Sequence, residues 1–228
     1  MEQRDRTRCG RADRTGGQPR VRRPGDGHSR RRRCGMKAQA SPPPTRWDPV
    51  TQLFHWACAA LVVALGALGL YMVDLTSQVA KIRLYALHKS LGITLLALVV
   101  LRLLWRWTRR PPVPLAGMSR RHQLAADGMH GLLYLLLLAM PLSGWLLNSS
   151  KGYPLQWFRW IDLPALSAKN ESLSAIAKAF HEYGFWVLVV LVTGHALAAL
   201  HHHMVLDDGA LHRMLPWRRR GQLPRNPT

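Results

Sequence analysis

Leu132-Leu133-Tyr134-Leu135-Leu136-Leu137-Leu138-Ala139-Met140 runs for about two and a half helical turns without a charged side chain. A helix at the surface of a soluble bundle keeps a polar stripe toward water, and this run leaves no position for one. It sits inside an apolar block, Leu124–Leu147, and three more blocks match it: Leu53–Val73, Leu87–Trp107 and Tyr183–Leu206. Each is near the ~20 residues a helix needs to cross a hydrocarbon core about 30 Å thick. Trp47, Trp56, Trp105, Trp107, Trp145, Trp186 and Trp217 fall at or near the block ends, where aromatic residues form the belts of a membrane interface. The expected fold is all-α: an integral membrane four-helix bundle.

The charge balance is strongly basic, with 32 Lys and Arg against 12 Asp and Glu and a net charge of +20. Such a balance often marks a nucleic-acid partner, but its distribution here argues against one. Arg106, Arg109, Arg110, Arg120 and Arg121 crowd the second loop with no acid among them, and arginines also fill both tails. The first loop, with Asp74, Lys81 and Arg83, carries few charges. The third mixes Lys151, Arg159, Asp162, Lys169, Glu171 and Lys178. The positive-inside rule therefore puts both termini and the second loop in the cytoplasm. The partner implied is membrane lipid.

Residues 1–45 read as a disordered basic extension. Met1–Gly35 has the run Arg30–Arg33 and almost no large apolar residue, so it cannot bury enough surface to fold alone. Met36 offers an alternative translation start, and a tail that binds anionic lipid is the functional alternative. No apolar core follows these charges until Leu53, unlike a secretory signal. Residues 218–228 form a basic cytoplasmic tail. Cys9, Cys34 and Cys58 carry no Cys-x-x-Cys-His motif, which argues against covalent haem attachment.

Four histidines stand inside the helical blocks or close to their ends: His55, His88, His181 and His195. Ionisable side chains in a membrane are costly and mark functional sites. His181 and His195 share the fourth helix, about 21 Å apart along its axis and within about 40° of the same face. Asp48 before Pro49 predicts the N-terminus of the first helix, which puts His55 near the cytoplasmic side. Chain direction then puts His88 and His181 at one depth, outside, and His55 and His195 at the other. Two stacked metal or haem centres suit this spacing, and a bis-histidine haem needs no open coordination position for electron transfer. Gly66, Gly69, Gly92, Gly131, Gly144, Gly184 and Gly194 offer room for a flat group beside the backbone.

Phe54-His55-Trp56, Leu87-His88-Lys89-Ser90-Leu91-Gly92, the run from His181-Glu182 through Gly194-His195 to His201-His202-His203, and the closing Asp207-Asp208-Gly209-Ala210-Leu211-His212-Arg213-Met214-Leu215-Pro216 together resemble bacterial cytochrome b561. The resemblance spans about residues 46–217. It implies a four-helix cytochrome of the inner membrane with two non-covalent b haems, ligated by His88 with His181 and by His55 with His195. It also implies single-electron transfer between an outer donor and membrane quinone, with superoxide as donor and ubiquinone as acceptor in some members.

Other readings are weighed against this one. His202 lies two turns beyond His195 on a similar face and competes for the inner site. His130 could bond a haem propionate or line a quinone pocket, although an interhelical hydrogen bond is the commoner role. His122 shares its depth, and His28 and His212 are expected to be solvated. Lys81, Arg83 and Lys89 surround His88 in sequence, and either steer a small anion or neutralise propionates. The segment Pro154–Phe180 is expected to hold a short amphipathic piece, with Trp157, Phe158 and Trp160 facing lipid or capping the outer site. Two alternative functions are a cytochrome anchor that relays electrons from a donor protein such as a dehydrogenase or hydrogenase, and a divalent-metal transporter. The transporter lacks the mid-helix acids such a site needs.

Overall fold

A computed structural model of the chain describes residues 46–109, 119–206 and 211–215. The expected basic extension, the tail after residue 217, Arg110 and the segment 207–210 lie outside the described residues. Helices α1 (Pro49–Val73), α2 (Gln78–Thr108), α3 (Arg120–Ser150) and α4 (Glu171–Met204) form the bundle. All four are long and apolar enough to cross a membrane.

Local chemistry sets the helix starts. Asp48 caps α1, its Oδ1 accepting from the Thr51 amide at 3.0 Å, with Pro49 in the first turn. Ser119 caps α3 through the His122 amide, and Asn170 caps α4 through Leu173 N. The helices outrun the apolar blocks. α2 begins nine residues before Leu87 and α4 twelve before Tyr183. Lys81, Arg83 and Lys178 are therefore helical rather than in loops, and Glu171 opens α4. A backbone that satisfies its own hydrogen bonds can continue past the hydrocarbon edge with polar side chains. At 34 residues α4 is about 51 Å long, well beyond the core of a bilayer.

The segment expected to hold an amphipathic piece carries an antiparallel hairpin, β1 (Leu155–Trp157) with β2 (Ile161–Leu163). Phe158 and Arg159 turn it with φ of 46° and 64°. These left-handed values stop any helical continuation. The hairpin is fastened to α2: Trp157 Nε1 donates to Thr94 Oγ1 at 3.0 Å, and the Phe158 amide donates to Ser90 Oγ at 3.0 Å. Trp157 thus turns inward, while Trp160 remains 81% exposed.

The core is thin. Cys58, Leu65, Leu95 and Val99 form one buried cluster, and Leu136, Met140 and Leu188 another. Large apolar side chains such as Tyr183, Val190 and Leu53 point outward. A bundle with its apolar surface outside is suited to lipid rather than water. The close-packed helix pairs are α3 with α4, α1 with α2, and α2 with α3. At the end of the bundle where α1 begins, Arg46 donates to the carbonyls of His212 and Leu215, and Trp56 Nε1 to that of Met214. This strap half-buries His212, whose ring lies 4.9 Å from that of His203. The expectation of a solvated His212 is corrected: backbone pairing with the start of α1 pulls its segment inward.

Candidate cofactor site: two histidine pairs

The fold brings the four histidines together in two pairs. His88 on α2 faces His181 on α4, and His55 on α1 faces His195 on α4. The ring centroids are 6.3 Å apart in both pairs, with interplanar angles of 76° and 69° respectively. The α4 ring that meets His55 is that of His195. His202 has a ring contact with His201. His130 of α3 adds a third ring to the His55–His195 pair, 5.3 Å from His195.

Each pair is set by different neighbours. Ser143 Oγ lies 2.9 Å from His181 Nδ1 and donates to the Met140 carbonyl at 2.7 Å. The hydroxyl proton is thereby committed, so Ser143 can only accept from the ring, which places a proton on Nδ1 and leaves the Nε2 lone pair free. A Cβ on Gly144 would lie 3.2 Å from His181 Cε1, and one on Gly69 would lie 3.4 Å from His88 Cε1. These two glycines seat imidazole rings, whereas the sequence suggested room for a larger flat group. At Gly66, Gly184 and Gly194 the space is taken by Phe185, Met140 and Met129. Gly92 and Gly131 face open space. His88 Nδ1 is buried without a hydrogen-bond partner among the described residues.

The His55–His195 pair faces a cation. Arg102 Nη2 is 3.1 Å from His55 Nδ1. Arg102 also stands over the Tyr134 ring at 5.3 Å, and Arg106 approaches the same ring at 5.8 Å. Sequence reading passed over Arg102, Ser143 and Tyr134. Arg102 did carry a signal, as a charge within the apolar block Leu87–Trp107. Ser143 carried none, because small polar residues are common in membrane helices.

The cations expected around His88 are spread out. Lys89 Nζ donates to Asn148 Oδ1 at 3.1 Å, Lys81 Nζ donates to the Val73 carbonyl at 3.1 Å, and Arg83 lines a shallow groove with Tyr71 and Leu84.

Paired imidazoles from separate membrane helices, repeated at two depths, are a donor set for axial ligation, and residues 46–217 match the family described as prokaryotic cytochrome b561. The chain belongs to that family. It is 40% identical over 173 residues to cytochrome b561 homolog 2 of Escherichia coli (strain K12), covering 75% of this chain and 92% of the relative. Cytochrome b561 homolog 1 of the same organism is 31% identical over 133 residues, covering 58% and 74%. The probable superoxide oxidase CybB of Yersinia pestis is 34% identical over 136 residues, covering 58% and 75%. The chain is therefore a haem protein of the inner membrane, and the outward apolar faces of α1–α4 are its lipid surface.

The residues fit such a group. A first-row metal sits about 2 Å from an imidazole nitrogen, and roughly 1 Å more reaches each ring centre, so two axial rings lie about 6 Å apart. The observed 6.3 Å agrees. Neutral imidazoles also avoid placing a fixed charge in hydrocarbon.

Proposed function

We propose that the protein is a dihaem cytochrome b561 that passes single electrons from superoxide at the outer membrane face to ubiquinone. His88 and His181 hold the outer haem, and His55 and His195 the inner one. Both termini and the loop between α2 and α3 face the cytoplasm. One observation supports this above the rest: two histidine ring pairs of equal separation, both using α4, with His181 and His195 about 21 Å apart along its axis. Haem iron cycling between two oxidation states supplies the one-electron chemistry.

The protein's own residues do the rest. Ser143 holds the His181 ring in one tautomer, and Gly69 and Gly144 let the outer rings lie close to the helix backbones. Lys81, Arg83 and Lys89 leave the outer end of α2 basic, and none of them has an ion-pair partner among the described residues. A small anion is drawn toward such a surface. The Yersinia pestis relative, named as a probable superoxide oxidase, supports superoxide as that anion.

Stopped-flow absorbance with enzymatically generated superoxide tests the reading. Rapid haem reduction is expected, followed by reoxidation on adding ubiquinone. The rate should fall as salt rises and the Debye length drops below about 10 Å. Neutralising Lys81, Arg83 and Lys89 together should slow the step with haem content unchanged. Absence of haem reduction by superoxide, with reduction by a co-purified dehydrogenase, would instead make the protein an anchor cytochrome.

A further inference from the structure

Arg102 is a half-buried cation with an unmet requirement. Its Nε is fully buried and has no hydrogen-bond partner among the described residues. The one ion pair among those residues is Lys178 with Glu182, on α4. Arg106 lies one turn along α2 and approaches the same Tyr134 ring, so two guanidinium groups meet one aromatic ring, and neither has a carboxylate partner among the described residues. Like charges at this spacing repel, and a buried charged donor left unpaired is costly. Arg106 also lies over Trp47 at 5.5 Å. Packing on aromatic rings offsets part of that cost but supplies no acceptor for Nε.

The contact with His55 sharpens the point. A guanidinium can only donate, so at 3.1 Å it makes His55 Nδ1 an acceptor and places the ring proton on Nε2. Axial ligation through Nε2 requires the opposite tautomer. A ligating His55 therefore cannot keep Arg102 as donor at Nδ1, and the guanidinium needs another acceptor. Paired arginines are suited to planar oxyanions.

We propose that Arg102 and Arg106 form a carboxylate clamp beside the inner histidine pair, and that its occupant is a propionate of the inner haem. The clamp rests on the dihaem reading and adds the orientation of that haem, with its propionate edge toward α2 and Tyr134. Removing a clamp cation takes away stabilisation of the reduced, more negative state. The inner potential should therefore fall.

Redox titration of the full-length haem-loaded protein in neutral detergent tests this, with the inner potential identified as the one missing from His195→Ala. In Arg102→Gln, the inner reduction equilibrium should weaken about tenfold, a 59 mV drop for one electron, while the outer potential stays put as the folding control. Arg102→Lys should recover most of the drop. Reconstitution with haem dimethyl ester removes the propionate's negative charge and should raise the inner potential, less in the wild type than in Arg102→Gln, where no guanidinium screens that charge. Equal ester effects in both proteins, or an unshifted Arg102→Gln inner potential, would overturn the clamp. So would a shift seen only in phosphatidylglycerol vesicles, which would assign the guanidinium pair to a lipid phosphate. Failure of the dihaem reading is distinct from these, since the wild type itself would then lack two titrating haems.

Discussion

Ser143 shows how one hydroxyl can set the tautomer of a buried ring. Its proton goes to the Met140 carbonyl, so its lone pairs remain for the His181 ring. Partners of this kind typically change metal affinity 10–100-fold when removed. Ser143→Ala should weaken outer haem retention about tenfold and leave the inner haem in place, as read by haem content after dilution or competition with an apo-haem acceptor. Asp48 acts at the other end of the bundle. Burial would raise its carboxyl, but hydrogen bonds from Thr51 and Trp105 outweigh that and hold its pKa below the usual value. A group depressed in the folded state adds stability above its unfolded pKa of about 3.9, and that stability is lost as pH falls through the lower folded value. Asp48→Ala should cost about 1 kcal/mol at neutral pH, and Asp48→Asn less, since it keeps an N-cap acceptor. In Asp48→Asn the acid end of the melting-temperature profile should flatten. At this scale the sequence was readable where chemistry is rare. A histidine in hydrocarbon announces itself, and Asp48-Pro49 is a strong cap signal. Ser143 and the seats made by Gly69 and Gly144 were not readable, because their roles exist only once α4 packs against α3 and His88 reaches α1.

At the scale of elements, apolar runs located the four helices but not their ends. Hydrophobicity marks the stretch that lipid must cover, whereas the hydrogen-bonded backbone continues until a cap or turn stops it. Lys81 and Arg83 thus belong to α2, and Glu171 to α4. The hairpin was not legible because aromatic residues in a short polar segment fit more than one kind of amphipathic piece. What decides is tertiary: Ser90 and Thr94 on α2 offer acceptors to the hairpin backbone and to Trp157. Several tryptophans expected only as interface belts are also pins, with Trp105 bonded to Asp48, Trp145 to the Pro164 carbonyl and Trp56 to the Met214 carbonyl. Ser90 is 3% exposed. Ser90→Ala strips the Phe158 amide of its acceptor in a place water reaches poorly, so it should destabilise by about 1–3 kcal/mol. Thermal unfolding in detergent would show this as a lowered Tm. An unchanged Tm would mean that the hairpin is held by other contacts.

For the whole molecule, four spans and one long α4 carrying both partner histidines make the bundle a scaffold across the membrane. The proposed orientation rests on arginines in the second loop against the mixed third loop. A reporter fused after Thr228 should be active only in the cytoplasm, and one inserted near Lys169 only outside. Reversed signals would exchange inner and outer but keep the pairs. Which histidine rings meet was legible in the sequence, because helix rise and chain direction fix relative depth. The ring separation, His130 beside His195, and the Arg102–His55 contact were not, since they depend on helix rotation. The central claim is that each pair holds its own haem. Haem-to-protein ratio with low-spin iron spectra, measured on the wild type and the four single His→Ala variants, tests it most directly. Two haems per chain are expected in the wild type and one in each variant. His88→Ala and His181→Ala should lose the same signal, and His55→Ala and His195→Ala the other. A single haem in the wild type, or two unchanged low-spin haems in His195→Ala, would contradict the account.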